Sequence, residues 1–253
     1  MANLNFNSVD LSTYGLVTPG VSGAHDLPGV ETAETYCPGS DAPDVRVVRR
    51  STRILRFKCV VYSDVSHANL VSKLQALKGY LSPDLGFKVL TLTDVTSKRI
   101  SAMSLGFPID IAAIPYVQTA VEFTLSFRCA VPWWEDSSAQ SATILEADTT
   151  GTITNGGDVH CWPVYTCTVG AAPLATGLTF TVNSKTYTYE SGLLAADVLT
   201  VDTEACTTER NGTADMAGTA DDCEYPELVT GANAVTAKTA GFTLVASYRR
   251  RYE

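Results

Sequence analysis

The stretch VQTAVEFTLSFRCAVPWW, residues 117–134, carries the longest clean alternation of apolar and polar side chains in the sequence. Alternate residues from Val117 to Cys129 fall on one face, apolar except for Thr119, which is the pattern of a half-buried antiparallel strand. Pro132 ends the alternation, because proline has no N–H to donate to a sheet. The stretch therefore predicts a strand and then a hinge between two domains, residues 1–134 and 135–253.

Charge differs on the two sides of this hinge. Residues 1–134 carry 12 Lys and Arg against 11 Asp and Glu, a net charge of +1, whereas residues 135–253 carry 6 against 16, a net charge of −10. The acidic second half argues against a nucleic-acid partner, since binding to nucleic acid needs a basic face. Its simplest interpretation is a solvated surface.

No stretch approaches the roughly 20 apolar residues of a membrane span, and the N-terminus MANLNFNSVD lacks the basic and apolar regions of a signal peptide. We therefore expect a protein without a membrane partner that is made in a cytoplasm.

The first half predicts an α+β domain. Apolar residues on both sides of Asn7-Ser8 predict a tight hairpin. Glycines and prolines throughout residues 18–44 predict a long loop or arm, and residues 46–62 predict one strand. The basic outer side of that strand would contain Arg53, Arg56 and Lys58.

One helix and a second hairpin complete the predicted first domain. Leucines at helical spacing in VSHANLVSKLQALKGYL, residues 65–81, follow Ser63-Asp64 as the N-cap and end before Pro83. The segments GFKVLTLT (86–93) and KRISAMSL (98–105) predict the two strands of the hairpin.

Beyond the hinge, about eight short strands with a turn signal every 8 to 12 residues indicate a β-sandwich or jelly roll. Asn183-Ser184 marks a tight turn between two of them. Residues 203–224 predict a strand followed by an acidic loop. The predicted fold class is thus mainly β: an antiparallel sandwich-like or barrel-like α+β domain with one helix and a long arm, and then a β-sandwich.

The residue types that carry chemistry show no convincing arrangement. The three histidines, His25, His67 and His160, have no partner at a fixed spacing, so neither a catalytic triad nor a two-histidine metal site is supported. The acidic loop at 215–224 lacks the spacing of an EF-hand, and a solvated loop is the simpler interpretation. We expect no catalytic residues, no metal and no cofactor.

The seven cysteines are an odd number without a CxxC pair, which excludes the usual zinc and thioredoxin patterns. Cys161 with Cys167, or Cys206 with Cys223, would pair only in an oxidising exterior, so free thiols are expected. Among the aromatic residues, Trp133 and Trp134 are read as packing at the hinge. Trp162 is the candidate carbohydrate-binding residue, since indole rings stack on sugars.

Several stretches, taken in order, resemble the distal tail proteins (Dit) of long, non-contractile-tailed bacteriophages, the siphophages. The likeness spans nearly the whole chain, although Ser8 stands where glycine is usual and residues 31–43 lack the family's basic, glycine-containing phrase. These stretches are FNSVDLSTYGLV (6–17), the helix ending LSP (81–83), the close of the long strand (127–132), SGLLAADVLTVD (191–202), YPEL (225–228) with GAN (231–233), and YRRRY (248–252).

The resemblance implies a structural virion protein. Members of the family form a hexameric ring that connects the tail tube to the tail tip or baseplate at the distal end of the tail. It implies as partners the tail tube protein, the tape-measure protein, the tail-tip (tail-associated) protein and a receptor-binding protein, and it implies that the second domain is a galectin-like jelly roll. We infer that the near-neutral first domain builds the ring, while acidic second domains repel one another and point into solvent.

Two other functions remain open from the sequence. A carbohydrate-binding adhesin would recognise the host cell wall through a galectin-like sheet and Trp162. A wall-degrading enzyme has the least support, because no pair of carboxylates or histidines stands out.

Overall fold

The computed structural model describes residues 4–22, 51–92, 95 and 97–253, together with the backbone of residues 30–35 and 44–50. The chain divides into two compact units, Met1–Trp134 with Glu253, and Glu135–Tyr252. Each unit has its own sheets, and β10 (Trp134–Asp136) lies at the division.

The first unit is an antiparallel sheet with one helix. Its larger sheet has the strand order β2-β1-β7-β8-β9-β6-β3, and β4 and β5 form a separate two-stranded sheet. The elements are β1 (Leu4–Phe6), β2 (Val9–Asp10), β3 (Leu16–Ser22), β4 (Val30–Thr35), β5 (Asp44–Arg50), β6 (Ile54–Tyr62), α1 (His67–Tyr80), β7 (Lys88–Leu92), β8 (Lys98–Ser104) and β9 (Ala120–Cys129), with 3₁₀ turns at Leu11–Tyr14, Pro83–Leu85 and Ile111–Ala113.

The predicted leucine helix is confirmed as α1. Leu70, Leu74 and Leu77 are fully buried, as is Leu81 just after the helix. The N-cap is Ser66 and not the predicted Ser63-Asp64: its hydroxyl accepts a hydrogen bond from the N–H of Asn69. The helix therefore packs its apolar stripe on one face of the sheet, and the opposite face stays open to solvent.

The long strand that was predicted from the alternation between residues 117 and 129 is present as β9. Val121, Leu125, Phe127 and Cys129 are buried on its inner side, as the alternation predicts. The strand begins three residues later than the pattern does, and Val117 is 92% exposed. A turn in which the N–H of Gln118 donates to the carbonyl of Pro115 precedes the strand and removes those residues from the sheet.

Two predictions for the first unit are corrected. The arm at 18–44 is not a continuous loop, because β3 occupies its start and the strands β4 and β5 form a hairpin around 36–43, which lie outside the described residues. The single strand predicted at 46–62 is two strands, β5 and β6, interrupted at residues 51–53. Arg53 is buried at that break and does not belong to the basic outer side of β6.

The second unit is a two-layered β-sandwich. One sheet has the order β11-β20-β13-β16-β17-β18 and the other β12-β19-β14-β15. The strands are β11 (Gln140–Ile144), β12 (Gly151–Asn155), β13 (Val164–Val169), β14 (Leu178–Val182), β15 (Lys185–Tyr189), β16 (Val198–Asp202), β17 (Thr207–Arg210), β18 (Thr213–Ala214), β19 (Gly231–Lys238), β20 (Phe242–Tyr248) and β21 (Arg251–Tyr252), with a 3₁₀ turn at Met216–Gly218.

The core of the sandwich lies between these two sheets. Tyr165 and Phe242 contribute from one sheet, Phe180 and Tyr187 from the other, and all four side chains are fully buried. Burial of such large side chains is the main stabilising term of a domain of this size. The mainly β prediction with antiparallel sheets and one helix is confirmed, whereas the galectin-like topology of the sandwich stays a prediction.

Both predicted tight turns are confirmed. Asn7 and Ser8 have φ of 51° and 66°, and Asn183 and Ser184 have φ of 49° and 69°. Two central residues with positive φ make the type I′ turn that fits the twist of a two-residue hairpin. Asn tolerates this conformation because its short side chain can bond to nearby backbone.

Candidate functional site

Trp162, the predicted sugar-binding residue, is partly buried and its ring is already in contact with two side chains. The guanidinium carbon of Arg251 lies 4.7 Å from the ring centre, within the range of a cation–π contact. The imidazole of His160 lies 4.7 Å away at nearly a right angle. A sugar ring would find one indole face occupied by Arg251, and carbohydrate binding by Trp162 stays a prediction.

Arg251 is the centre of a small charged cluster. Its side chain is 7% exposed, and its guanidinium lies 3.4 Å from a carboxylate oxygen of Glu135 and 3.0 Å from one of Glu204. A buried guanidinium needs such partners, because desolvation of an unpaired charge is costly. The carboxylates and the indole of Trp162 together satisfy Arg251.

A second cluster forms around the buried carboxylate of Asp136. It accepts hydrogen bonds from Nε of Arg250 at 2.6 Å, from the hydroxyl of Tyr252 at 3.1 Å and from the amide of Gln140 at 3.3 Å. The pKa of Arg250 is raised, chiefly by this hydrogen bond, and burial together with Asp136 raises the pKa of Tyr252. The guanidinium of Arg249 donates to the backbone carbonyl of Asp136 at 2.8 Å.

These two clusters join the start and the end of the second unit. β10 pairs with β21, and the carbonyl of Arg251 also accepts from the N–H groups of Asp158 and Val159, at 2.8 and 3.2 Å. A Cβ on Gly157 would lie 2.5 Å from that carbonyl oxygen, so the close approach requires glycine. The arrangement holds the polypeptide together at the place where it enters and leaves the sandwich.

Neither Asp136 nor Arg251 was predicted as the centre of a charged cluster, although the sequence carries a signal for such clusters. Three of the six Lys and Arg of residues 135–253 are consecutive, at 249–251, in a segment with a net charge of −10. Such a concentration of positive charge predicts acidic partners nearby. Which carboxylates these are depends on strand pairing across more than 100 residues, and spacing in the sequence does not reveal that.

The open face of the first sheet carries the predicted basic residues of β6. Arg56 and Lys58 are both exposed there, and Arg128 of β9 is exposed on the same face because it pairs directly with Ile54 of β6. A shallow depression of about 420 Å³ lies beside Arg56 and Lys58, where β3 meets β6. The open face therefore combines positive charge with a concave surface.

Apolar residues occupy the neighbouring part of the same face. Ile54 is 38% exposed, and Val89, which the strand pairing places on the same face, is 40% exposed. Apolar side chains that gather on one open sheet face are typical of a contact with another protein.

His67 and Asp215 make hydrogen-bonding contacts within the fold. Nδ1 of His67 lies 3.2 Å from the carbonyl of Gln118, and His25 lies outside the described residues. In the predicted acidic loop, Asp215 accepts a hydrogen bond from the hydroxyl of Tyr189 at 2.6 Å. Within the described parts of the chain, no group of three His, Cys, Asp or Glu side chains could hold a metal ion, and no helix could cross a membrane.

The cysteines that the structure describes, including Cys161, Cys167, Cys206 and Cys223, are free thiols. Burial raises the pKa of Cys59, Cys129 and Cys161 to about 12. Since the thiolate is the reactive form, these three side chains serve as packing groups.

Part of the second unit matches a known protein family. Residues 156–252 match the family SPP1_Dit, described as the siphovirus-type tail component, C-terminal domain. None of the curated proteins matches the chain. The predicted resemblance to siphophage distal tail proteins is confirmed by this match and by the structural likeness that follows.

Among solved structures, the chain resembles the Dit protein (gp 19.1) of phage SPP1, described as a hub of the adsorption apparatus in phages that infect Gram-positive bacteria. The TM-score is 0.83 with 15% sequence identity over 100% of both chains, which shows a shared fold. A structure of the baseplate of phage p2 in its activated conformation also aligns, with a TM-score of 0.45 and 8% identity over 98% of this chain and 97% of the other.

Proposed function

We propose that this chain is a distal tail hub, because residues 156–252 match the family of siphovirus-type tail components. In this proposal six copies form a ring that connects the tail tube to the tail tip or baseplate and anchors proteins that attach to the host. The family match is the observation that carries the proposal. A structural role also agrees with the contacts of the histidines, acidic residues and thiols described above.

The hairpin of β4 and β5 supports assembly through the first unit. It forms a two-stranded sheet of its own, separate from the strand order of the larger sheet. An isolated two-stranded hairpin is marginally stable in water, so it gains stability when another surface covers it. A neighbouring copy in a ring would supply that surface.

The open face of the first sheet supports the same assembly. Arg56, Lys58 and Arg128 give it positive charge, and Ile54 and Val89 give it exposed apolar area. A ring requires each copy to present two different, complementary surfaces. We assign the open face as one of these two surfaces.

The ring is tested by mass photometry and negative-stain imaging of the purified full chain. The expected result is a discrete particle of about six times the 27.0 kDa chain mass with six-fold symmetry. A stable monomer at physiological salt would contradict the hub function.

A charge reversal then tests the open face. Arg56→Glu combined with Lys58→Glu should prevent ring formation, because it reverses two charges at the contact. Lys78→Glu is the matched control, since Lys78 is exposed on α1, which covers the opposite face of the sheet. A ring that survives the double variant would remove this face from the subunit contact.

The alternative function is carbohydrate recognition through Trp162. Binding of the full chain and of Trp162→Ala to a glycan array tests it. Arg251 against the indole ring argues for a structural role, so we expect equal binding or none from both proteins. Binding that disappears with Trp162→Ala would favour the adhesin.

A further inference from the structure

One end of the second unit exposes apolar side chains in an otherwise acidic domain. Leu145, which directly follows β11, is 61% exposed, and Leu194, which lies between β15 and β16, is 66% exposed. Exposed alanines surround them. We call this surface the apolar tip, and its residues are Leu145, Ala171, Ala172, Leu194, Ala195 and Ala240.

The residues of the apolar tip are neighbours in space. They lie in the connections at one end of four adjacent strands, in the order β11, β20, β13 and β16. Neighbouring strands are about 4.8 Å apart, so the tip spans roughly 14 Å. Backbone hydrogen bonds join the connections: the N–H of Gly170 donates to the carbonyl of Gly241 at 2.8 Å, and the N–H of Gly241 donates to that of Glu146 at 3.3 Å.

A buried carboxylate fixes the backbone of Leu194. Asp197 accepts a hydrogen bond from the N–H of Leu194 at 2.8 Å, from the guanidinium of Arg210 at 2.6 Å and from the amide of Asn211 at 2.9 Å. Hydrogen bonds to a charged group are among the stronger ones in proteins. These hydrogen bonds therefore fix the backbone of Leu194 while its side chain stays exposed.

A buried ammonium fixes the connection that carries Leu145. Nζ of Lys238 donates to the backbone carbonyl of Asp148 at 3.0 Å and to that of Glu146 at 3.4 Å, and it lies 4.4 Å from the ring centre of Phe242. Lys238 is 4% exposed. With both leucines anchored, binding of a partner would cost little conformational entropy at this surface.

The charges around the apolar tip define what it would bind. Glu146 and Asp148 are exposed in the connection that carries Leu145, whereas Arg210 and Lys238 already bond to Asp197 and to backbone carbonyls. The complementary surface has an apolar centre and a basic rim. Because the tip offers aliphatic side chains and no aromatic ring, a protein suits it better than a sugar.

The apolar tip and the entry of the chain lie at opposite ends of the sandwich. β11 and β20 pair with Gln140 opposite Tyr248 at one end and Ile144 opposite Leu244 toward the other. The chain enters and leaves the unit at the first of these ends, and the apolar tip lies at the second.

We propose that the apolar tip is a docking surface for another protein of the virion, one that presents apolar residues ringed by Lys and Arg. This inference rests on the proposed hub function and deepens it, since it names the surface through which the hub holds an attached protein.

The test uses assembled phage particles whose hub carries a photo-crosslinking amino acid at position 145 or 194. Position 229 is the control, because Val229 is 44% exposed and lies beside Leu228, which bridges to Cys161 at the opposite end of the sandwich. We expect a covalent adduct with a second virion protein from positions 145 and 194 but not from 229. Leu145→Asp with Leu194→Asp should then lower the amount of that protein in purified particles roughly tenfold or more.

The outcomes separate this inference from the hub function. Particles that contain the ring but give no adduct at the tip, or the same adducts as position 229, overturn the docking surface and leave the hub intact. Adducts between two copies of this chain would make the tip a self-contact and overturn the proposal as well. If the chain is missing from the particles, both the hub function and the docking surface fail.

Discussion

The guanidinium of Arg251 stacks on the indole of Trp162, with its central carbon 4.7 Å from the ring centre. These two residues lie 89 positions apart, one just before β13 and the other in β21. Glu135 and Glu204 complete the surroundings of Arg251. Trp162 could be taken for a sugar-binding residue, but its contact with Arg251 makes it one of the residues that hold the start and the end of the second unit together.

Trp162→Ala should therefore destabilise the second unit. The substitution removes a cation–π contact and leaves a cavity beside the guanidinium of Arg251. We therefore expect the free energy of unfolding to fall by about 2–3 kcal/mol. Urea denaturation followed by circular dichroism measures the change. Trp162→Phe keeps an aromatic face for Arg251 and should lose less than half as much. Equal losses from both variants would contradict a role for the stacked guanidinium.

Tyr165→Phe should stabilise the protein or leave it unchanged. The hydroxyl of Tyr165 is buried without a hydrogen-bond partner, and burial raises its pKa. Removal of an unsatisfied polar group from a core is expected to gain up to about 1 kcal/mol in unfolding free energy.

Tyr187→Phe is the matched control for that experiment. Tyr187 is equally buried, but its hydroxyl lies 2.7 Å from the hydroxyl of Thr208. Its loss should cost about 1 kcal/mol, because the substitution removes a buried hydrogen bond to Thr208. Denaturant midpoints with unchanged slopes separate the two cases, and a destabilised Tyr165→Phe would show that its hydroxyl has a partner.

Stability should depend on pH through Asp197. Hydrogen bonds from Asn211, the N–H of Leu194 and Arg210 lower the pKa of its carboxyl below the ordinary value of 3.8. A lowered pKa in the folded state stabilises the protein above the unfolded pKa, and this contribution is lost as the pH falls through the folded pKa. The stability difference between wild type and Asp197→Asn should thus shrink as the pH falls below 3.8.

Thermal unfolding at a series of pH values measures this difference. Asn211→Ala removes one of the three donors, so it should give a smaller loss in the same pH window. A difference that stays constant from neutral to acid pH would contradict the assignment.

Asp136→Asn should loosen the last strand of the second unit. The carboxylate of Asp136 binds Arg250 and Tyr252, and an amide loses the charge that strengthens both hydrogen bonds. We expect about 1–2 kcal/mol less protection of the backbone amides near β21, measured by hydrogen exchange with mass spectrometry. Asp158→Asn is the control, because Asp158 donates its backbone N–H to the carbonyl of Arg251, and the substitution keeps that hydrogen bond. Unchanged exchange in Asp136→Asn would mean that strand pairing alone secures β21.

The sequence predicted those secondary-structure elements that depend on residues close together in the chain. The leucines of α1 recur at helical spacing, β9 alternates with period two, and Asn-Ser occupies both type I′ turns. In these places the side chain that faces the core and the backbone conformation follow from adjacent residues.

Features that depend on contacts distant in sequence could not be predicted in this way. The glycines and prolines between residues 18 and 44 mark connections between strands, but the same residues also suit one long loop. Arg53 reads as a surface residue in a basic segment and is buried where β6 begins. The partners of Arg251 and the apolar tip likewise arise only once the strands of the sandwich have paired.

The pairing of β10 with β21 has a consequence for how such chains vary. Because the polypeptide enters and leaves the sandwich through adjacent strands, residues 137–250 resemble a cassette with its two ends side by side. A different domain could be exchanged at this point without changing the path of the first unit, provided that it preserves the spacing between those two ends. The same pairing would let related chains exchange the second unit by recombination while the first unit keeps its sequence.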